Sequence, residues 1–198
     1  MQSNKVAVPG TRDVRATLDT PEGETDAIVV ACPPHPQFNG NRNDNRLVAL
    51  GEYLTDHGIA CLRFDYGDWD EGYGEREDAR NALRWAKERY DFVGVFGFSF
   101  GGGIAALAGV DESAVVIGLL APASRVTDDL DAVEVLDDVD VPFKVLYATR
   151  DDTANWEPLV ERAEVLGFET EAFSADHFFI GQEQKVARRL GEFFVAQL

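Results

Sequence analysis

Cysteine is scarce. Cys32 and Cys61 are the only two in 198 residues, and each stands inside an apolar run. That pattern excludes a disulfide framework or a thiolate metal cluster and reads as two buried free thiols. Long apolar runs are absent, and no segment approaches the ~18 consecutive apolar residues that a membrane span needs. The N-terminal "MQSNKVAVPG" lacks a basic-then-apolar leader, so the expected location is the cytoplasm, with no membrane partner. Internal repeats, low-complexity tracts and linkers are also missing, which leaves residues 1–198 to be read as a single domain. Histidine occurs only at positions 35, 57 and 177. No metal and no cofactor is expected.

Positive charge is the other shortage. Asp and Glu number 36 against 18 Lys and Arg, a formal charge of −18. Only Lys5, Lys87, Lys144 and Lys185 carry an ammonium group. A nucleic-acid partner is excluded, because its phosphates would be repelled. The acids are spread along the chain, so the charge is a property of the whole surface. Such self-repulsion costs stability in dilute buffer and is relieved when salt screens it. A halophilic host is the expectation. Thermal unfolding should then occur at clearly higher temperature in molar KCl than in dilute buffer. Equal melting temperatures in the two would rule the idea out.

What is present alternates between apolar runs and helical patterns. Strands are predicted at Val14–Leu18, Ala27–Cys32, Ala60–Phe64, Phe92–Phe96, Val115–Leu120, Phe143–Thr149 and Glu169–Phe173, with Lys5–Val8 a further candidate. The middle ones are continuous in Val, Ile, Leu and Phe, as suits a parallel sheet buried on both faces. Between them, "NRLVALGEYLTDHG" places Leu47, Leu50, Gly51 and Leu54 on one helical face and stops at Gly58. "EREDARNALRWAKERY" groups Ala79, Leu83, Ala86 and Tyr90, with acids early and bases late as the helix dipole favours. "FGGGIAALAG", "WEPLVERAEVLG" and "QEQKVARRLGEFFVAQL" supply three more helices. Strand–helix alternation means an α/β fold, and the helix-poor start predicts a β-hairpin or meander that makes the sheet mixed.

The stretch Gly97-Phe98-Ser99-Phe100-Gly101 fits G-x-S-x-G between the apolar run Phe92–Phe96 and an Ala-rich helix. A serine on a sharp strand-to-helix turn sits in strained backbone, with small neighbours where strand and helix crowd together. Its hydroxyl stands above the sheet, and the N–H of Phe100 lies at a helix N-terminus where negative charge is favoured. A helix-capping serine is the plain alternative. Gly101 to Ala106 also satisfies G-x-G-x-x-A, but that dinucleotide fingerprint belongs at a strand end, ordinarily in the first βα unit. Here it begins inside a helix, late in the chain.

A triad around such a turn follows the order serine, acid, histidine. His177, in "SADHFFIG" just after the last strand, is placed to reach Ser99; His57 ends a helix and reads as solvated. "ATRDDTANW" offers Asp151 and Asp152, and Asp151 is preferred because it stands three residues after Ala148. Asp176 adjoins His177 in sequence and is poorly placed to hold its ring from behind. In this scheme Ser99 attacks, His177 shuttles the proton, and Asp151 fixes the histidine tautomer. The oxyanion donors are the N–H of Phe100 and one from "PPHPQFNGN" after the strand Ala27–Cys32. Pro36 has no N–H, so that donor is assigned to Gln37, with Phe38 the alternative. His35 shapes the loop through a side-chain hydrogen bond or faces the site.

With these residues assembled, the chain resembles the α/β-hydrolase superfamily, and within it the small lidless hydrolases related to dienelactone hydrolases. The resemblance rests on "HPQFNG", "CLRFDYGDWDEG", "GFSFGG", "ATRD" and "SADHFFIG", in that order along nearly the whole chain. It implies an α/β-hydrolase fold with a mostly parallel central sheet of about seven or eight strands, flanked by helices. Residues 121–142 leave room for one short helix and no cap domain, so an open, shallow site is expected. Its candidate wall residues are His35, Phe38, Trp69, Phe98, Phe100, Trp156 and Phe178. Three departures bear on function. Ala148 replaces the usual glycine before the acid, "DYGDWDEG" lacks the usual Arg-Gly, and Ser99 replaces the cysteine of dienelactone hydrolases proper. The resemblance implies a serine esterase acting on a small-molecule ester with a small or short acyl group. An acyltransferase or peptidase with the same triad, and a non-catalytic binding protein on the same fold, are the alternatives.

Overall fold

The structure is a computed structural model that describes residues 1–12 and 14–198. Its main sheet has eight strands in the order β1-β2-β4-β3-β5-β6-β9-β10. These are β1 (Gln2–Val8), β2 (Val14–Thr20), β3 (Ala27–Cys32), β4 (Ala60–Phe64), β5 (Phe92–Phe98), β6 (Val116–Leu120), β9 (Phe143–Ala148) and β10 (Glu169–Phe173). β1 and β2 form the antiparallel entry, and β2 runs antiparallel to β4. From β4 onward every neighbour is parallel.

The continuous apolar runs are explained by helices on both faces. In β3, Ile28, Val30 and Cys32 face the layer formed by α2 (Tyr73–Lys87) and α3 (Phe100–Asp111), with α4 (Glu157–Val165) alongside. Ala27, Val29 and Ala31 face α1 (Asn45–Asp56) and α5 (Glu183–Gln197). Every β3 residue is buried, so an alternating polar face has nowhere to go. Each Leu, Ile or Phe so placed contributes roughly 1.5–3 kcal/mol relative to leaving it in water. The edge strands β1 and β10 are largely exposed and carry polar residues, which discourages edge-to-edge pairing.

Two differences from the sequence reading have clear causes. Strand β5 runs two residues past Phe96, because Gly97 and Phe98 continue the ladder opposite Leu119 and Leu120 of β6. Residues 121–142 hold a small hairpin and a 3₁₀ turn (Glu134–Asp138) instead of one short helix. The hairpin pairs β7 (Arg125–Thr127) with β8 (Leu130–Asp131). Asp131 accepts the Val133 N–H at 2.8 Å and pairs with Arg125, and these local bonds compete with helix formation. Among the described residues, no cap domain is present. Cys32 and Cys61 are both buried and unpaired, and burial alone pushes the Cys32 thiol well above its usual range. Among the described residues, no helix is long and apolar enough to cross a membrane.

Candidate active site

The loops that follow β3, β5, β9 and β10 meet at the carboxyl ends of the parallel strands, where open α/β sheets place their sites. Ser99 leaves β5 with φ 58° and ψ −123°, a conformation that costs an L-residue about 1–3 kcal/mol. Surrounding bonds hold it there. Its N–H donates to Leu120 O at 2.9 Å, and its carbonyl accepts from Gly102 N at 2.8 Å and Ala123 N at 2.9 Å. Glycine is required on both sides of the turn. A Cβ at Gly97 would collide with the Gly101 carbonyl, and one at Gly101 with the Cys32 and Pro33 carbonyl oxygens. Among the described residues, the Phe100 N–H has no protein acceptor.

His177 stands in the turn between β10 and α5, pinned by the fully buried Phe179. Its Nε2 lies 2.8 Å from Ser99 Oγ, and its Nδ1 lies 2.7 Å from Asp151 Oδ2. The ring is stacked on Phe98, with centroids 5.2 Å apart, and meets Phe178 edge-on. The Asp151 carboxylate is fully buried, and its Oδ1 accepts the Thr153 and Ala154 N–H groups at 2.9 and 3.0 Å. Asp152 and Asp176 are exposed; Asp152 accepts from Thr153 Oγ1 at 3.5 Å and Asp176 caps the Phe178 N–H at 3.0 Å. His57 is exposed and stacked on Tyr53, remote in role from this group.

The loop after β3 is organised around His35. Its carbonyl accepts the Phe38 and Gly40 N–H groups at 3.1 and 3.0 Å, and its Nδ1 accepts the Gln37 N–H at 3.3 Å. The neutral ring therefore carries its proton on Nε2. Burial pushes the His35 pKa below its usual value, partly opposed by Glu75. The assignment of a free donor to Gln37 is corrected by this arrangement, since the 3₁₀ turn Pro36–Phe38 directs that N–H to His35. Within residues 33–40 the one N–H without an acceptor among the described residues is that of His35 itself.

A cavity of about 430 Å³ opens over Ser99 and His177. Of the anticipated wall residues, His35, Phe38, Phe98 and Phe178 line it. Trp69, Phe100 and Trp156 do not. Trp69 packs on the outer face of His35, 4.6 Å between centroids, and on Phe100. Trp156 is stacked on Tyr147 at 4.6 Å, and its indole N–H reaches the Asp151 carbonyl at 3.4 Å, so it supports the acid's loop from beneath. The sequence reading missed Asp44, Arg46 and Thr153, which also line the cavity. "D-N-R" at a helix start reads as an ordinary N-cap, which Asp44 also is. A larger cavity, about 620 Å³, lies beside Thr11, Arg12, Arg15 and Tyr66 and contains none of Ser99, Asp151 or His177. Among the described residues, no group of three or more His, Cys, Asp or Glu is arranged to hold a metal ion.

Sheet order, crossover helices and the absence of a cap define the lidless α/β-hydrolase fold. An α/β serine hydrolase homologue from Coxiella burnetii superposes with a TM-score of 0.79, at 23% identity over 100% of this chain and 98% of that one. A dienelactone hydrolase from Anabaena variabilis gives 0.79 at 22% identity, over 100% and 98% of the two chains. A lidless α/β serine hydrolase from Xanthomonas campestris gives 0.75 at 21% identity, over 96% and 95%. The likeness to these proteins is one of fold. In sequence, an uncharacterized protein of Rickettsia prowazekii (strain Madrid E) is 33% identical over 88 residues, 39% of this chain. The chain spans only 37% of that relative's length. No protein-family model matches the chain.

Proposed function

We propose that the protein is a serine hydrolase that cleaves small or short-chain carboxylic esters through an acyl-enzyme on Ser99. The observation that carries the reading is the unbroken hydrogen-bonded chain from Ser99 Oγ to His177 to Asp151, at 2.8 and 2.7 Å. As Oγ attacks the ester carbonyl carbon, His177 Nε2 takes its proton and the carbonyl π electrons move onto oxygen. The developing oxyanion is held by the N–H groups of Phe100 and His35. Collapse of the tetrahedral intermediate breaks the bond to the alcohol, which leaves with the proton from His177. Water then attacks the acyl-enzyme by the same proton route, and the acid is released with Ser99 regenerated. Asp151 keeps the Nδ1 proton in place and stabilises the imidazolium that forms at each step.

A fluorophosphonate probe tests the nucleophile directly. In molar KCl, wild type should be labelled stoichiometrically and Ser99→Ala should not be labelled at all. A folded wild type that resists the probe would sink the proposal. A series of p-nitrophenyl esters of graded chain length then reads the acyl preference, and rates should fall as the chain outgrows the cavity.

A further inference from the structure

The wall of the cavity contains one ion pair, and its geometry bears on which esters can enter. Arg46, in the first turn of α1, donates Nε to Asp44 Oδ1 at 2.8 Å and pairs a terminal nitrogen with the other carboxylate oxygen. The second terminal nitrogen donates to Phe178 O at 2.8 Å. The flat face of the guanidinium covers Phe98, 4.4 Å from its centroid. The fork is thus turned toward Asp44 and the His177 loop, and the two side chains are only 14% and 10% exposed. Pro34, Phe38, Phe98 and Phe178 supply the apolar part of the wall; Asn39, Gly40 and Thr153 are uncharged, which leaves Arg46 as the lysine- or arginine-type cation of the lining, beside His35 and His177. Phe38 is 82% exposed and Phe178 49%, so the rim at the mouth is apolar too.

We infer that the site is selective for esters with an uncharged, apolar acyl group, and that the Asp44–Arg46 pair is the element that rejects anionic ones. This rests on the reading of Ser99 as nucleophile. A substrate carboxylate entering the cavity meets a cation already neutralised and a carboxylate of like sign beside it. It must also approach a chain of formal charge −18. An alkyl chain loses water against three phenylalanines and a proline at no electrostatic cost.

Two esters that differ in a terminal carboxylate measure the selectivity: p-nitrophenyl hexanoate and the mono-p-nitrophenyl ester of adipate, in the same KCl. Wild type should favour hexanoate in kcat/KM by at least about tenfold. Asp44→Asn retains the N-cap acceptor but frees the Arg46 charge, so the preference should narrow by about tenfold or more. Arg46→Gln leaves the Asp44 charge unopposed, and the preference should widen. The ratio cancels any loss of active fraction, so a merely weakened fold would lower both rates and leave it unmoved. A wild-type ratio near one, or two variants that fail to move it in opposite directions, overturns the inference. So does an enzyme that the fluorophosphonate labels but that hydrolyses neither ester, while Ser99 stands as nucleophile. Failure of labelling removes the reading beneath it as well.

Discussion

His177→Ala is expected to lower kcat by on the order of 10³–10⁶-fold, with KM changed far less. Among the described residues, His177 Nε2 is the only hydrogen-bond partner of Ser99 Oγ. Without it the hydroxyl must give its proton to water, and the leaving alcohol has no acid. The two N–H groups assigned to the oxyanion hole survive the change, so a residual rate above that in water should persist. The fold should survive too. Asp151 keeps the Thr153 and Ala154 N–H bonds, and the 177–182 turn keeps its anchor in buried Phe179. Steady-state kinetics on one short-chain p-nitrophenyl ester, with a thermal melt of the same sample, read both quantities. A variant that melts like wild type and turns over within tenfold of it would remove His177 from the mechanism.

Much of the fold was legible because burial on both faces leaves a plain mark. Ala27–Cys32, Ala60–Phe64 and Glu169–Phe173 stand as strands with the bounds read from sequence. The segment 121–142 was not legible, since a length that leaves room for one short helix also suits a hairpin once Asp131 caps Val133 and pairs with Arg125. Within the site, histidine's scarcity and the fixed order of motifs pointed to Ser99, Asp151 and His177, which the structure brings within hydrogen-bond reach of one another.

The walls and amides were harder. A loop tryptophan looks the same in sequence whether it faces a cavity or covers one, so Trp69 and Trp156 could not be separated from Phe38 and Phe178. Residue types do not say which way a peptide N–H turns within a 3₁₀ turn, so the engagement of the Gln37 N–H by His35 Nδ1 could not be read from the sequence. Arg46 reaches the site only because the start of α1 packs against the loop carrying Phe178, a tertiary contact that its helical context does not announce.

Asp151→Asn should cost on the order of 10³–10⁴ in kcat, whereas Asp152→Asn should leave it within about threefold. Charge removal is not the main cause; hydrogen-bond direction is. Asp151 Oδ1 accepts two backbone N–H groups, so asparagine must place its carbonyl oxygen there. Its NH₂ is then forced onto the Oδ2 position, 2.7 Å from His177 Nδ1. An NH₂ can only donate, so Nδ1 must become the acceptor and the ring proton moves to Nε2. That proton faces Ser99 Oγ, and the ring can no longer receive the serine's own. The nucleophile therefore loses its base although no atom of the site has shifted. Asp152 is exposed, and among the described residues its only side-chain bond is from Thr153 Oγ1 at 3.5 Å, so its amide disturbs nothing that His177 feels. Kinetics on the two variants side by side would check the assignment. Collapse of Asp152→Asn with Asp151→Asn intact would transfer the acid's role to Asp152, and equal activity in both would leave His177 oriented by packing on Phe98 alone.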